Sequence, residues 1–467
     1  MDVPSCPGCQ KLSALVAELR AQIADLQATV RDLEARLGRN ASNSSLPPSA
    51  NPPAAPKPVV KKPTGRPSGA QPGHEPHLRR RLPAERLTEV VRLVPRECRA
   101  CGAALPAQPG PNDPEPSWHQ VVELPPLLAH VTEYQGHART CPECRTLTHA
   151  PIPAEVRRHA VGPRLAAFLA YLRGAHQVSQ RGLEEIVEAA LDVPLSLGTI
   201  NRLEQQTGAA LAPAHAEALD AVRRAPVKHV DETGWKRAGG WLWLAATATV
   251  AAFVIHARRS AAGLAALLGE AIGGILCTDR WAVYDRLPPE RRQVCWAHLK
   301  RDFQKLVDRG GASAPLGRAG LRVVKEVFAC WHRHRDGPPH RDGLLDEIAP
   351  LARRLDRVLS AGRRCADGSA ATFCANLLGL WPALWLFTLE EGVEPTNNHA
   401  ERLLRRGVLW RKRSFGSQSQ DGCRFVERML TVVQTLRLQD RPVLAFLHDA
   451  IAAHRAAQPG PQLLPAG

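Results

Sequence analysis

Apolar positions along the 467 residues change their spacing twice. Near the start, Leu12, Leu19, Leu26 and Leu33 recur every seven residues, and Val16, Ile23, Val30 and Leu37 follow them by four. This narrow seam predicts a coiled coil over residues 11–37. β-Branched residues at most a positions with Leu at d favour a parallel two-stranded pair. The alternative is one amphipathic helix packed on its own domain. From 160 to 225 the spacing is that of ordinary helices, through Leu165, Phe168, Leu169 and Leu172, then Leu183, Ile186 and Val187. From 226 it shifts to short apolar runs. Val227–Val230, Trp241–Ala246, Thr249–His256, Gly274–Thr278 and Gln293–Trp296 read as strands, with a helix over Ser260–Ile272. Helical spacing then returns to about residue 392 and again from Asn398. Strands broken by helices predict an α/β sheet domain with a helical insertion at about 303–392.

Composition adds the boundaries. Residues 38–90 are rich in Asn and Ser, then in Pro, and cannot bury enough apolar surface to order themselves. They read as a basic linker between the 1–37 segment and the rest. Within it, Arg66 in Pro63-Thr-Gly-Arg-Pro67 could enter a minor groove; a solvated tether is the alternative. Residues 91–150 form a small module bounded by cysteine pairs. Residues 151–225 form a helical domain, 226–440 the sheet domain and 441–467 a terminal helix and tail. In the helical domain, Ser196 caps a helix whose first turns present Thr199, Asn201 and Arg202. This could be the recognition helix of a helix-turn-helix or half of an ordinary hairpin.

Charge narrows the partner. Sixty-one Lys and Arg against 45 Asp and Glu give +16, and the pI is near 9.7, which fits a polyanion such as nucleic acid. Abundant Ala, Arg and Pro with only 2 Met also fit a GC-rich genome. Residues 1–9 show no secretory pattern, and the apolar run Trp241–Ile255 is too short for a bilayer, so a cytoplasmic protein with no membrane partner is expected. In a reducing compartment paired cysteines suggest metal or redox chemistry. Cys98-x-x-Cys101 and Cys141-x-x-Cys144 supply four thiolates on two turns, a structural Zn²⁺ set of zinc-ribbon type. Cys6 and Cys9 form a third pair without further ligands in reach.

Two acids stand where strands should end: Asp231 after Val227–Val230, and Asp279 after Ile275–Thr278. Open α/β sheets place their ligands at such carboxyl ends. Glu401 opens a helix otherwise basic, with Arg402, Arg405, Arg406, Arg411, Lys412 and Arg413 after it and Asn397 or Asn398 as its cap. Three carboxylates from separate elements suit hard divalent ions, and phosphate-binding cations suit DNA. Glu232 is set aside because strand neighbours face opposite sides. Asp285 could support the site or be exposed. His298 could meet a phosphate, orient a carboxylate or be structural, and Lys300 and Arg301 are candidate DNA contacts.

Asp231-Glu-Thr-Gly-Trp, Thr278-Asp-Arg-Trp-Ala-Val-Tyr284, Cys295-Trp-Ala-His298 and Asn397-Asn-His-Ala-Glu-Arg402 resemble segments of bacterial transposases of the insertion-sequence-66 type. So do the coiled coil with Asn40-Ala-Ser-Asn-Ser-Ser, Gln71-Pro-Gly-His74, the cysteine pairs and Ser196-Leu-Gly-Thr199. The resemblance covers nearly the whole chain. It implies a ribonuclease-H-like core with an Asp-Asp-Glu triad at Asp231, Asp279 and Glu401. It also implies Mg²⁺-dependent (or Mn²⁺-dependent) cleavage and transfer of element ends, in a multimeric DNA complex perhaps joined by accessory proteins of the element. The alternatives are a DNA-binding regulator with an inactive core and another two-metal nuclease on the same scaffold.

Overall fold

The structure, a computed structural model, describes residues 7–37, 81–108, 110–111, 113–235, 240–335, 341–414 and 416–465. Arg66, Cys6 and most of the expected linker lie outside the described residues. Two units are distinguished, residues 56–129 and the rest, and each is described by itself.

In the smaller unit the described residues, 81 onward, carry little regular structure: one 3-10 turn at Ala84–Arg86 and a Glu97–Ala104 bridge. The larger unit begins with helix α1 (Pro7–Leu37). Along it Val16, Leu19, Ile23, Leu26, Val30 and Leu33 are all exposed, so these heptad positions have no cover among the described residues. Next come the hairpin β1 (Ala138–Thr140) and β2 (Leu147–His149), and a short helix α2 (Ala154–Arg157). Residues 120–137 form no strand or helix and are almost all exposed.

Four helices follow: α3 (Pro163–His176), α4 (Gln180–Leu191), α5 (Leu197–Ala210) and α6 (Ala212–Arg224). Ser179 and Ser196 cap α4 and α5, each hydroxyl accepting from the backbone N–H three residues on. The sheet is built from β3 (Val227–Trp235), β4 (Gly240–Ala246), β5 (Ala251–His256), β6 (Ile275–Thr278) and β7 (Arg292–Val294), with helix α7 (Ala261–Leu268) between β5 and β6. Their order is β5-β4-β3-β6-β7; the first three run antiparallel, and β6 and β7 continue parallel to β3. The β4–β5 turn carries no Gly or Asn. Thr247 closes it instead, its hydroxyl accepting from the N–H groups of Thr249 and Val250.

After β7 the chain is helical: α8 (Trp296–Arg309), α9 (Ser313–Arg335), α10 (Arg341–Gly362), α11 (Gly368–Gly379), α12 (Trp381–Leu389), α13 (Asn398–Ser414), α14 (Gln420–Leu438) and α15 (Val443–Arg455). Two apolar cores result. One joins α3–α6, the sheet, α7 and α13–α15; the other joins β7 to α8–α12. Residues 151–225 therefore share a core with the sheet. Among the described residues, no single helix is long and apolar enough to cross a membrane.

The exposed edge of β5 is covered by α14. Thr435 and Thr431 accept from the N–H groups of Ala251 and Phe253 at 3.1 and 3.0 Å, and Glu427 accepts from Ile255. The match is geometric: four helical residues advance about 6 Å and two strand residues about 6.7 Å. Side chains four apart thus follow N–H groups two apart, and an edge open to foreign strands is closed.

Candidate active site

Asp231 lies within a strand rather than at its end. Pairing with β4 continues from Asp231–Leu244 out to Trp235–Gly240, so β3 runs four residues beyond the expected stop. On the other side, pairing with β6 covers only Val227–His229, and Asp231 lies just past the point where β6 has ended. Asp279 directly follows Thr278, the last residue of β6. One oxygen of each aspartate is tied locally: Asp231 Oδ1 accepts from the Glu232 N–H at 2.9 Å, and Asp279 Oδ1 from the Trp281 N–H at 2.9 Å. Both are half-buried.

The loop after Asp279 is fixed by Arg292, whose guanidinium is fully buried. It donates to Thr278 Oγ1 (3.1 Å), the Asp279 carbonyl (2.9 Å) and Asp285 Oδ1 (2.6 Å). Asp285 is therefore a support for the Asp279 loop. The strand expected at 293–296 lies instead at Arg292–Val294, because Cys295 already begins α8 as its N-cap. Glu232 points away from Asp231, as strand alternation requires. It is buried, accepts from Arg259 (2.6 and 2.9 Å) and from the Tyr284 hydroxyl (2.6 Å), and burial still pushes its carboxyl up.

Glu401 is in the first turn of α13, which lies along β3 and β4. A Cβ at Gly407 would overlap Leu242, so glycine there lets the helix come this close. The Glu401 carboxylate is flanked by Arg301 at 3.5 Å and His298 Nδ1 at 3.6 Å. The His298 separation is an electrostatic contact rather than a hydrogen bond. Burial and the Arg301 charge hold the His298 imidazole below its ordinary value. Cys295, His298 and Glu401 present a sulfur, a ring nitrogen and a carboxylate oxygen within 4.8 Å of one another. The Cys295 thiol is pushed up to about 11, chiefly by burial.

Electrostatics links the three acids. The Asp231 carboxyl is held well above the usual carboxylate range, first by burial, then by the charges of Glu232, Asp279 and Glu401. Asp231 on β3, Asp279 after β6 and Glu401 on α13 are thus near enough for their charges to act on one another.

Cations surround it. Arg402, Arg405, Arg406 and Lys412 are exposed along α13, and Lys300 on α8. Arg411 turns inward, donating to Thr233 Oγ1 and the Gly234 carbonyl, and Arg413 donates to the His176 carbonyl at 3.2 Å. On α5, Asn201 and Arg202 are exposed, whereas Thr199 is half-buried against Ser196. Sequence reasoning missed Arg292. A charged residue within an apolar strand was its only signal, and nothing local identifies its partners.

The two cysteine pairs form the same local turn. Cys98 N donates to the Ala103 carbonyl and Gly102 N to the Cys98 carbonyl; Cys141 N donates to Thr146 and Arg145 N to Cys141. Gly102 and Arg145, four residues after the first cysteine, are both left-handed (φ 72° and 62°). The Cys144 thiol is lowered to about 7, first by the Thr146 side chain.

Comparison with known proteins gives three findings. A model of the transposase IS66 family matches residues 158–424. A model of a family of unknown function matches residues 3–80. The uncharacterized protein y4hP of Sinorhizobium fredii is 26% identical over 403 residues, covering 78% of this chain and 71% of that protein. The first match takes in α3–α6, the whole sheet, α8–α13 with Glu401 and the first turn of α14, which is more than half the chain. This protein belongs to the transposase IS66 family.

Proposed function

We propose that the protein cuts the ends of a DNA element and joins them to target DNA, with Asp231, Asp279 and Glu401 as the carboxylates that hold two Mg²⁺ or Mn²⁺ ions. The observation that carries this reading is the Asp231 carboxyl, held well above the usual range first by burial and then by the charges of Glu232, Asp279 and Glu401, the last two on separate elements. Such crowding is unfavourable without a counter-charge and is offset by a divalent cation. The donors are hard oxygens, as Mg²⁺ requires. When bound, paired ions stabilise the attacking and leaving oxygens of a phosphodiester.

The chain's own residues supply the rest. The carboxylates hold metal and do not attack, so water and then a 3′ hydroxyl are the nucleophiles and no covalent protein intermediate forms. Lys300, Arg402, Arg405, Arg406 and Lys412 offer charge to the DNA backbone, and Arg301 sits beside Glu401 where a phosphate would approach. Asn201 and Arg202 on α5 offer groove contacts. The antiparallel β5-β4-β3 meander continued by parallel β6 and β7 supports a ribonuclease-H-like core. The uncovered heptad row of α1 supports a coiled coil with a second copy. The repeated cysteine turn supports thiolate binding of structural Zn²⁺.

The test uses duplex oligonucleotides ending in the inverted repeats that flank the coding region. Asp231→Asn, Asp279→Asn and Glu401→Gln should each lower Mg²⁺-dependent cleavage by at least about a hundredfold while retaining DNA binding. Wild type should also yield strand-transfer products, which a simple nuclease would not. Near-normal cleavage by any of the three variants removes that residue from the site.

A further inference from the structure

We infer that Asn397 is a positioning residue, the knot that sets the helix bearing Glu401 against the strand bearing Asp231. The inference rests on the triad reading above. The sequence offered Asn397 as a helix cap, but its side chain does something else. Its carbonyl accepts from Glu401 N as the last residue before α13, while its amide reaches across to β3. Asn397 is only 1% exposed, and all its side-chain polar atoms are satisfied. Nδ2 donates to the Val230 carbonyl at 2.7 Å, and Oδ1 lies 3.1 Å from His229 Nδ1. Its backbone N–H donates to Cys295 Sγ at 3.1 Å. In the same contact region, Trp296 N donates to the Pro395 carbonyl at 2.9 Å.

These bonds fix the chemistry of the knot. A carbonyl can only accept, so Nδ2 must face Val230 and Oδ1 must face His229. His229 therefore carries its proton on Nδ1. The adjacent His399 leans on the His229 ring and bonds the Thr247 carbonyl through Nε2 at 2.8 Å, fixing the first turn of α13 to the β4–β5 turn.

The sequence positions give the knot its consequence. Val230 precedes Asp231, Asn397 precedes Glu401 by one helical turn, and Cys295 precedes His298 by three residues. One buried residue thus joins the three segments that carry Asp231, Glu401 and the histidine beside Glu401. A helix start held only by apolar packing can slide by fractions of an ångström, and outer-shell contacts of this kind are worth roughly 10–100-fold in metal affinity.

The decisive experiment titrates Mn²⁺ into wild type, Asn397→Ala, Asn397→Asp and Glu401→Gln, reading bound ion by electron paramagnetic resonance and cleavage in parallel. Asn397→Ala should raise the Mn²⁺ dissociation constant by about tenfold or more. Asn397→Asp, nearly the same shape, should be no better, because it sets a carboxylate oxygen against the Val230 carbonyl. Cleavage should recover substantially at saturating Mn²⁺, which a merely unstable protein would not show. If Asn397→Ala fails to fold, His229→Ala, which removes only the Oδ1 partner, should give a smaller shift in the same direction. Wild-type Mn²⁺ affinity in a folded Asn397→Ala or His229→Ala protein overturns the inference. Glu401→Gln separates the two claims: if it cleaves normally, the triad reading itself fails, whatever Asn397 does.

Discussion

At the residue scale, the account turns on a few polar groups kept in costly surroundings. Burial first, then the charges of Glu232, Asp279 and Glu401, destabilise the ionised form of Asp231 in the folded chain. The sign follows from linkage. A carboxyl raised in the fold keeps its proton to higher pH than in the unfolded chain, so its favourable contribution is present at low pH and is lost as pH rises through the folded value. Without metal, Asp231→Asn should therefore be more stable than wild type near pH 7, and the gap should close as pH falls into the ordinary carboxylate range. Thermal melts in chelator from pH 4 to 8 check this; a variant less stable than wild type throughout would contradict it. His215, buried with Nε2 at 2.8 Å from the Phe253 carbonyl, is lowered to about 4 and acts with the opposite sign. It is common to both proteins and cancels in their difference.

At the element scale, sequence legibility varied with how local the cause was. Ser196 was readable as a cap because capping is decided within four residues. The strand ending at Asp279 was readable because its apolar run is bounded by glycine and acid. The extent of β3 was not, because Thr233 and Gly234 are extended only by pairing with β4, which a pattern within β3 cannot register. Arg292 and Asn397 were illegible in their roles for a similar reason: their partners lie on other elements, 13 residues away for the Asp279 carbonyl and 167 for the Val230 carbonyl. The clearest long-range device is α14 closing the edge of β5. Thr431→Val keeps the shape but leaves the buried Phe253 N–H unpaired, which should cost roughly 1–3 kcal/mol. A lowered melting temperature and faster exchange of the Phe253 amide are expected; unchanged values of both would show that the hydroxyl does not hold the edge.

At the scale of the whole molecule, one site collects contributions from distant chain segments. Asp231 lies in β3 and Asp279 directly after β6, the helices α8 to α12 intervene in sequence, and α13 carries Glu401, whose charge acts on Asp231. The net charge of +16 suits a partner as negative as DNA. Residues outside the transposase-family match add an exposed heptad row on α1 and two cysteine turns. The most direct measurement is anomalous diffraction from crystals of the full chain equilibrated with Mn²⁺. The account expects density contacted by oxygens of Asp231, Asp279 and Glu401, at about 2–2.5 Å. Mn²⁺ bound elsewhere, with these three side chains left uncoordinated at saturating ion, would contradict it.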